Sequence, residues 1–489
     1  MTLRLYNTAS RKKETFHPLR KGKVGIYVCG VTVYDLCHIG HARSAIVFDV
    51  LVRYLRAQGL DVTYVRNFTD VDDKIINKAH TMGKEPGLIA QEYIDAFHDD
   101  MARLGVLNAD VEPRATEHID GMIKMIAVLL DRGYAYVKGN DVFFSVEKFN
   151  GYGQLSGRKL EEMRAGSRIA VDGKKRHPMD FALWKGAKPG EPQWASPWGP
   201  GRPGWHLECS VMSNHYLGPT FDIHGGGKDL LFPHHENERA QSIGANGGSF
   251  ADFWVHNGFV TVESEKMSKS LGNFLTIRDA LETYHPQVLR LFLLSKHYRS
   301  PIDFSKKVAL ELQSGLIRIY RSLQRMEDEL GPFQEGEEEP PAIFPGEAQV
   351  AFLHEFVNAM DDDLNTANAI GLIFEKVRDI NRSMDSCGDS IDEPTRCMLT
   401  QSRHQLFLAA QILGLLEETP AEFFRQLSGA AEHMDTTGIE KMIEERSVAK
   451  AHKDWMKADE IRNRLKGMGI VLEDGPQGTT WRLDVRNRN

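Results

Sequence analysis

Between Val24 and Arg66 the apolar pattern changes period twice, and this alternation constrains the fold more than any other stretch of the chain. Val24 to Val33 is an apolar, β-branched run interrupted by Gly25 and Gly30, which predicts a buried strand. From Ile39 the residues Ala45, Phe48, Leu51, Val52 and Leu55 recur at three and four, and the run stops near Gly59. That is the pattern of an amphipathic helix with a glycine end. Asp61 to Arg66 then reads as a second strand. Strand, helix, strand in this order predicts a parallel sheet of the nucleotide-binding kind.

At 489 residues the chain exceeds one compact core and suits two to four domains. With 41% hydrophobic and 26% charged residues it has the composition of a globular protein. After Asp131 the texture shifts: Val142 to Val146 reads as a strand, but Gly, Pro and Trp crowd the stretch up to Gly204, which predicts an insertion of short strands and loops. From Lys306 onward long three-four periodic runs predict helices, broken by an acidic, proline-containing loop at Glu335–Pro341. The last fifty or so residues read as a separate unit, a helix over 441–466 followed by a strand pair around Gly475–Gly478. A net charge of −8 does not announce an RNA partner, so any such partner needs a local basic face. The five cysteines, Cys29, Cys37, Cys209, Cys387 and Cys397, form no CxxC pair and suggest no disulfide framework. No apolar run is long enough for a signal peptide or a membrane span, so the expectation is a cytoplasmic chain with no membrane partner.

Three groups of residues carry chemistry. His38-Ile39-Gly40-His41 lies between the first strand and the first helix, where a helix N-terminus favours anions and Gly40 admits a close phosphate. Lys266-Met267-Ser268-Lys269-Ser270 follows a strand at 258–262 and puts two mobile cations in a loop, suited to ATP phosphates. The third group is a set of metal-ligand types: Cys29, Cys209 after Gly204-Trp205-His206-Leu207-Glu208, and the stretch from Gly225 to Glu238. Pro233 is placed as the first residue of a helix, and His234 and Glu238 are four apart on one face. Spacing alone does not choose His234 over His235, nor join Cys29 to Cys209 across 180 residues.

Together these stretches resemble the cysteinyl-tRNA synthetases, within the class I aminoacyl-tRNA synthetases. The resemblance runs through Val28–Asp35, His38–His41, Asn67–Lys74, Gly201–Ser210, Gly225–Glu238, Lys266–Ser270 and Gly475–Trp481, so it spans essentially the whole chain. One stretch departs, since the family's Lys-Ile-Ile-Lys reads here Lys74-Ile75-Ile76-Asn77-Lys78. The resemblance implies an α/β fold: a Rossmann-type parallel-sheet catalytic core with an inserted connective subdomain, then an α-helical bundle and a small mixed α/β C-terminal domain. It divides the chain into core (1–130), insertion (131–203), second half of the core (204–305), bundle (306–425) and anticodon-binding domain (426–489). It implies one zinc ion on Cys29, Cys209, His234 and Glu238, and a cysteine pocket lined by Thr69 and Trp205. His38, His41, Lys266 and Lys269 take the catalytic roles on Mg-ATP, with Gly40 and Asp229 also binding it. Cys37, beside His38, is expected to be a small buried residue and no ligand.

The implied reaction joins L-cysteine to ATP as cysteinyl-adenylate and passes it to the 3′-terminal adenosine of tRNA(Cys), on a monomeric enzyme. Zinc makes chemical sense there, because a coordinating thiol is deprotonated and sulfur is a softer ligand than a hydroxyl, so serine is refused without an editing domain. From Lys441 the C-terminal unit carries 11 Lys/Arg against 8 Asp/Glu, with Lys450, Lys453, Lys457, Arg462, Arg464 and Lys466 close together. Trp481 suits either stacking on a splayed base or filling the small core. Three rivals remain: a cysteine ligase acting on an amino sugar, as in mycothiol synthesis, which lacks the 441–489 unit; a nucleotidyltransferase sharing His-x-Gly-His, which has no use for the metal set; and a zinc-containing RNA-binding module, which leaves the lysine loop unexplained.

Overall fold

The computed structural model describes residues 2–159, 173, 175–263, 265–266, 274–332, 351–387, 391–428, 436–452, 454–467, 470–475 and 478–483. Two compact units emerge: Met1–Ser305 with Gln334–Glu417, and Lys306–Phe333 with Glu418–Asn489.

The first unit is built on a four-stranded parallel sheet, in the order Ala251–Asn257, Phe221–Gly227, Lys23–Val28, Asp61–Arg66. The expected strand, helix and strand are present: Lys23–Val28, the helix Ile39–Ala57 and Asp61–Arg66. The first strand is shorter than the apolar run because Cys29 and Gly30 leave the ladder to build the site. The helix buries Ile46, Phe48, Leu51, Val52 and Leu55, so the three-four periodicity is the imprint of a packed face. Strand order reverses at Lys23–Val28, which has Asp61–Arg66 on one side and Phe221–Gly227 on the other. In open sheets of this kind ligands bind beyond the carboxyl ends of the strands at that reversal.

The 131–203 region holds an antiparallel sheet of Ala135–Lys138, Asp141–Phe144, Phe181–Gly186 and Gly201–Pro203. Its last strand runs directly into the helix Trp205–Leu217. The helices Ala351–Asp361, Thr366–Asp385 and Glu393–Leu413 complete the first unit. Buried Arg290 ties them to the core: it donates to Leu413 O (2.7 Å), Leu104 O (3.1 Å) and Gly105 O (3.0 Å) and pairs with Asp49 in the helix Ile39–Ala57.

The second unit contains the helix Lys306–Leu330, so the helical region read at 306–425 is shared between the two units. Tyr320 stacks on Phe423 with centroids 3.8 Å apart. The helix expected over 441–466 is two helices, Thr436–Ala451 and Trp455–Gly467. Asp454 forces the break by accepting the Lys457 amide (3.1 Å) as a side-chain cap, so the second helix starts afresh. The strand pair is an antiparallel hairpin, Ile470–Gly475 with Gly478–Leu483.

Candidate active site and metal centre

Cys29 follows the first strand directly, with its amide held by Gly225 O at 3.2 Å. Only glycine fits at position 30, since a Cβ there would lie 1.6 Å from the Asn67 carbonyl oxygen. The backbone beyond Cys29 is thus pressed against the loop after Asp61–Arg66, and Asn67 Oδ1 accepts the Gly30 amide (3.0 Å). Gly204 repeats the device, because a Cβ there would meet Ala182 O at 1.9 Å. The chain turns at that contact into the helix Trp205–Leu217, where Trp205, Glu208 and Cys209 share one face by their three- and four-residue spacing.

The third strand–helix junction differs from expectation at Pro233. Regular helix begins at Glu236, after a wider turn over Leu231–His235. Phe232 has extended backbone (φ −141°, ψ 130°) because the residue before a proline is driven out of the helical region. His234 and Glu238 meet all the same, with Nε2 3.0 Å from Oε1.

The ligand atoms of Cys29, Cys209, His234 and Glu238 all lie within 4.8 Å of one another, and all four residues are buried. Cys29 Sγ donates to Glu238 Oε1 (3.2 Å), and Cys209 Sγ is 3.6 Å from His234 Nε2. A second grouping, Cys29 with His224, His235 and Glu238, meets the same distance criterion. Distance to Glu238 separates the two sets, while His234 Nδ1 meets His206 Nδ1 at 2.9 Å. His235 Nδ1 is engaged with His256 Nε2 at 2.8 Å, and its Nε2 stands 4.0 Å from Glu238. His224 Nε2 holds the other carboxylate oxygen, Oε2, at 2.8 Å. Glu238 therefore turns Oε1 to Cys29 and His234 while His224 fixes it from behind, the arrangement expected of an outer partner to a ligand. His234 Nε2, 3.0 Å from Glu238 Oε1 and 3.6 Å from Cys209 Sγ, lies nearer the carboxylate than His235 Nε2 does. Cys37 is buried and belongs to neither set.

Two thiols, an imidazole and a carboxylate in a buried place carry more negative than positive character, which a divalent cation neutralises; all four are zinc donor types. The four groups share protons among themselves: burial works to lower His234, yet Glu238 and Cys209 raise it to about 10. Burial opposes it, yet His224 and His234 hold Glu238 well below the usual carboxylate range. Burial likewise works against the Cys209 thiol, but hydrogen bonds with Cys29 and His234 bring it down to about 6. Burial, helped by Cys209 and Glu238, pushes the Cys29 thiol up. Trp205, 37% exposed, lies flat over His234 with centroids 4.4 Å apart, and buried Thr69 donates through Oγ1 to Glu208 Oε2 at 2.7 Å. Trp205 thus stacks on a member of the cluster, and Thr69 holds the residue before Cys209.

On the nucleotide side, His38 caps the helix Ile39–Ala57. Its Nδ1 accepts the Gly40 amide (3.0 Å), and His41 Nδ1 accepts the His38 amide (3.2 Å). Both rings, stacked 3.8 Å apart, therefore carry their proton on Nε2 when neutral. Burial lowers His38, and burial with His38 and Lys74 nearby takes His41 down to about 3. Asp229 is exposed and close enough to His38 to oppose that lowering. The segment after the lysine loop is bridged to this motif: His38 pairs with Thr276, Ile39 N donates to Leu275 O (3.2 Å), and Phe274 sets its edge on the His38 ring at 5.2 Å. Lys266 lies in the short strand Glu265–Lys266, while Lys269 lies outside the described residues. His224, Glu208 and Phe274 were not singled out in the sequence. A lone histidine inside the apolar strand Phe221–Gly227 was the available signal for the first, and no pattern marks the others. Exposed Trp455 and Met456 beside Lys457 were missed as well, while the Trp481 side chain lies outside what is described.

Comparison with known proteins gives the family. Residues 15–314 match the model of the class I (C) tRNA synthetase catalytic domain, 355–417 the DALR domain, and 436–482 the cysteinyl-tRNA ligase anticodon-binding domain. A cysteine–tRNA ligase of Pelobacter propionicus is 54% identical over 99% of this chain and 100% of its own length. One from Geobacter metallireducens is likewise 54% identical, with the same coverage. Among solved structures, Mycobacterium tuberculosis methionyl-tRNA synthetase in complex with methionyl-adenylate superposes with a TM-score of 0.57 at 17% identity, covering 80% of this chain and 89% of that one. That similarity carries the fold.

Proposed function

The chain belongs to the cysteine–tRNA ligase family, and from that premise we propose that Cys29, Cys209, His234 and Glu238 hold one zinc ion in its cysteine pocket. As a class I ligase of this family it makes Cys-tRNA(Cys) from L-cysteine, ATP and tRNA(Cys). The observation that carries the zinc reading is the convergence of four buried donors beneath Trp205, at the carboxyl ends of the sheet strands. Bound there, zinc takes a substrate thiol as thiolate and refuses a hydroxyl.

The chain's own residues supply the rest. The cysteine carboxylate attacks the α-phosphate of Mg-ATP, pyrophosphate leaves, and the tRNA 3′-terminal adenosine hydroxyl then displaces AMP. His38 and His41 serve the first step as neutral Nε2–H donors to the phosphates rather than as cations, which their lowered proton affinities support. Positive charge comes instead from the N-terminal end of the helix Ile39–Ala57 and from Lys266 and Lys269. Gly40, whose amide is taken by His38, contributes small size rather than a free donor, and Asp229 borders the ATP site from the His38 side.

The domain reading stands on the same footing: a core of 1–130 and 204–305 split by the 131–203 insertion, a helical part over 306–425, and an anticodon-binding part over 426–489, in line with the matched models. Trp455, 60% exposed beside Lys457, suits base stacking. The enzyme is read as a cytoplasmic monomer; among the described residues no helix is long and apolar enough to cross a membrane. The deciding experiment is ATP-dependent transfer of labelled cysteine onto total tRNA by the purified protein. Charging of the cysteine acceptor alone is expected. Cysteine-dependent pyrophosphate exchange without charging would favour the amino-sugar ligase.

A further inference from the structure

We propose that Glu208 is a positioning residue for the substrate's α-ammonium group, acting through Thr69; this rests on the reading of Thr69 as lining the cysteine pocket. Glu208 is fully buried and stands on the same helix face as Trp205 and the ligand Cys209. Thr69 has little freedom of its own. Its amide donates to Val31 O (3.1 Å) and its carbonyl accepts from Val33 N (3.2 Å), which leaves the hydroxyl as its only adjustable polar group. That hydroxyl donates to Glu208 Oε2 at 2.7 Å. A threonine hydroxyl has one proton and two lone pairs, so Oγ1 can meet any further group only as an acceptor.

The second Glu208 oxygen, Oε1, is buried without a hydrogen-bond partner. A buried polar atom left this way costs stability and calls for an explanation. Two other carboxylates near the pocket are committed. Glu238 faces Cys29 and His234 with one oxygen and His224 with the other. Asp70 holds the amide (3.0 Å) and hydroxyl (2.5 Å) of Thr116. Glu236 Oε1, two residues from His234 and Glu238, is likewise buried without a hydrogen-bond partner, but its other oxygen holds the Ser156 amide, whereas that of Glu208 holds Thr69. A cysteine molecule bound by its sulfur and presenting its carboxylate to ATP has one polar group left, the ammonium, three bonds from the sulfur. Thr69 Oγ1 with Glu208 behind it supplies the directed acceptor that this cation lacks.

The test compares three thiols on the zinc-loaded enzyme by titration calorimetry: cysteine, cysteamine (no carboxylate) and 3-mercaptopropionate (no ammonium). Zinc content is checked in every variant. In Glu208→Gln, cysteine and cysteamine should both weaken by about tenfold or more, the scale of a hydrogen bond to a charged group, while 3-mercaptopropionate stays within about twofold. Thr69→Val should repeat this selectivity, and Thr69→Ser, which keeps the hydroxyl, should restore it. Equal weakening of all three ligands, or of none, would overturn the subsite and leave Glu208 a structural anchor. A wild-type enzyme that binds no thiol would overturn the metal reading itself, a different failure.

Discussion

Replacing His224 by phenylalanine isolates the hydrogen bond that holds Glu238 from behind. The ring is fully buried and lies nearly parallel to Trp254, with centroids 4.4 Å apart at 16°, a stack that phenylalanine keeps. What is lost is the 2.8 Å bond from Nε2 to Glu238 Oε2, between two groups with no solvent exposure. That oxygen is then buried and unpaired, and Glu238 is free to turn away from Cys29 and His234. An outer partner of this kind is worth about 10- to 100-fold in metal affinity, which is ~1.4–2.7 kcal/mol. The value matches the ~1.5–3 kcal/mol expected of a hydrogen bond to a charged group. The assay is zinc competition against a chromophoric chelator, with His234→Ala run in parallel. Removing His234 takes away a ligand and should cost more than His224→Phe. Should His224→Phe cost more than His234→Ala, the alternative grouping with His224 and His235 holds the metal. Should it cost less than about twofold, the orientation argument fails.

Gly30→Ala places a methyl 1.6 Å from a backbone oxygen that has no rotamer to yield, so the loop carrying Cys29 must shift. The expected result is a folded protein of lowered melting temperature that copurifies with less than half the wild-type zinc, read by metal analysis. Phe274→Ala removes the edge contact on His38, worth ~0.5–1.5 kcal/mol, and should lower kcat of cysteine-dependent pyrophosphate exchange by about two- to tenfold with KM for cysteine unchanged. An aromatic replacement at position 274 that fails to restore kcat would count against the contact. For pH, His41 is depressed to about 3 in the fold from about 6.5 in the unfolded chain, so its contribution to stability is complete above pH 6.5 and is lost as pH falls towards 3. Urea unfolding from pH 7.5 to 5 should show wild type losing up to ~1.4 kcal/mol per pH unit more than His41→Gln below pH 6.5; parallel slopes would refute the assignment.

The parts legible in the sequence are those set by local pattern. The alternation over Val24–Arg66 gave the sheet edge and its crossover helix because burial on both faces of a parallel strand and on one face of a helix leaves periods of different length. Gly30 and Gly204 sit in the recognised motifs, but their necessity comes from Asn67 and Ala182, residues far off in the sequence or in another strand. The same holds for the metal set. Cys29 and Cys209 are 180 residues apart, and what joins them is the pairing of Lys23–Val28 with Phe221–Gly227 together with the turn at Gly204 that delivers the helix.

The choice of His234 over His235 shows where pattern ends. The two are adjacent in sequence and equally plausible ligands, and each has its Nδ1 engaged by another histidine, His206 for His234 and His256 for His235; they part in distance, His234 Nε2 lying 3.0 Å from Glu238 Oε1 and His235 Nε2 4.0 Å. The histidines at 38 and 41 make the same point in electrostatic terms. Motif reading assigns them catalytic roles on Mg-ATP without fixing their protonation state. Burial lowers the proton affinity of both, and the Gly40 and His38 amides occupy their Nδ1 lone pairs, so each neutral ring carries its proton on Nε2.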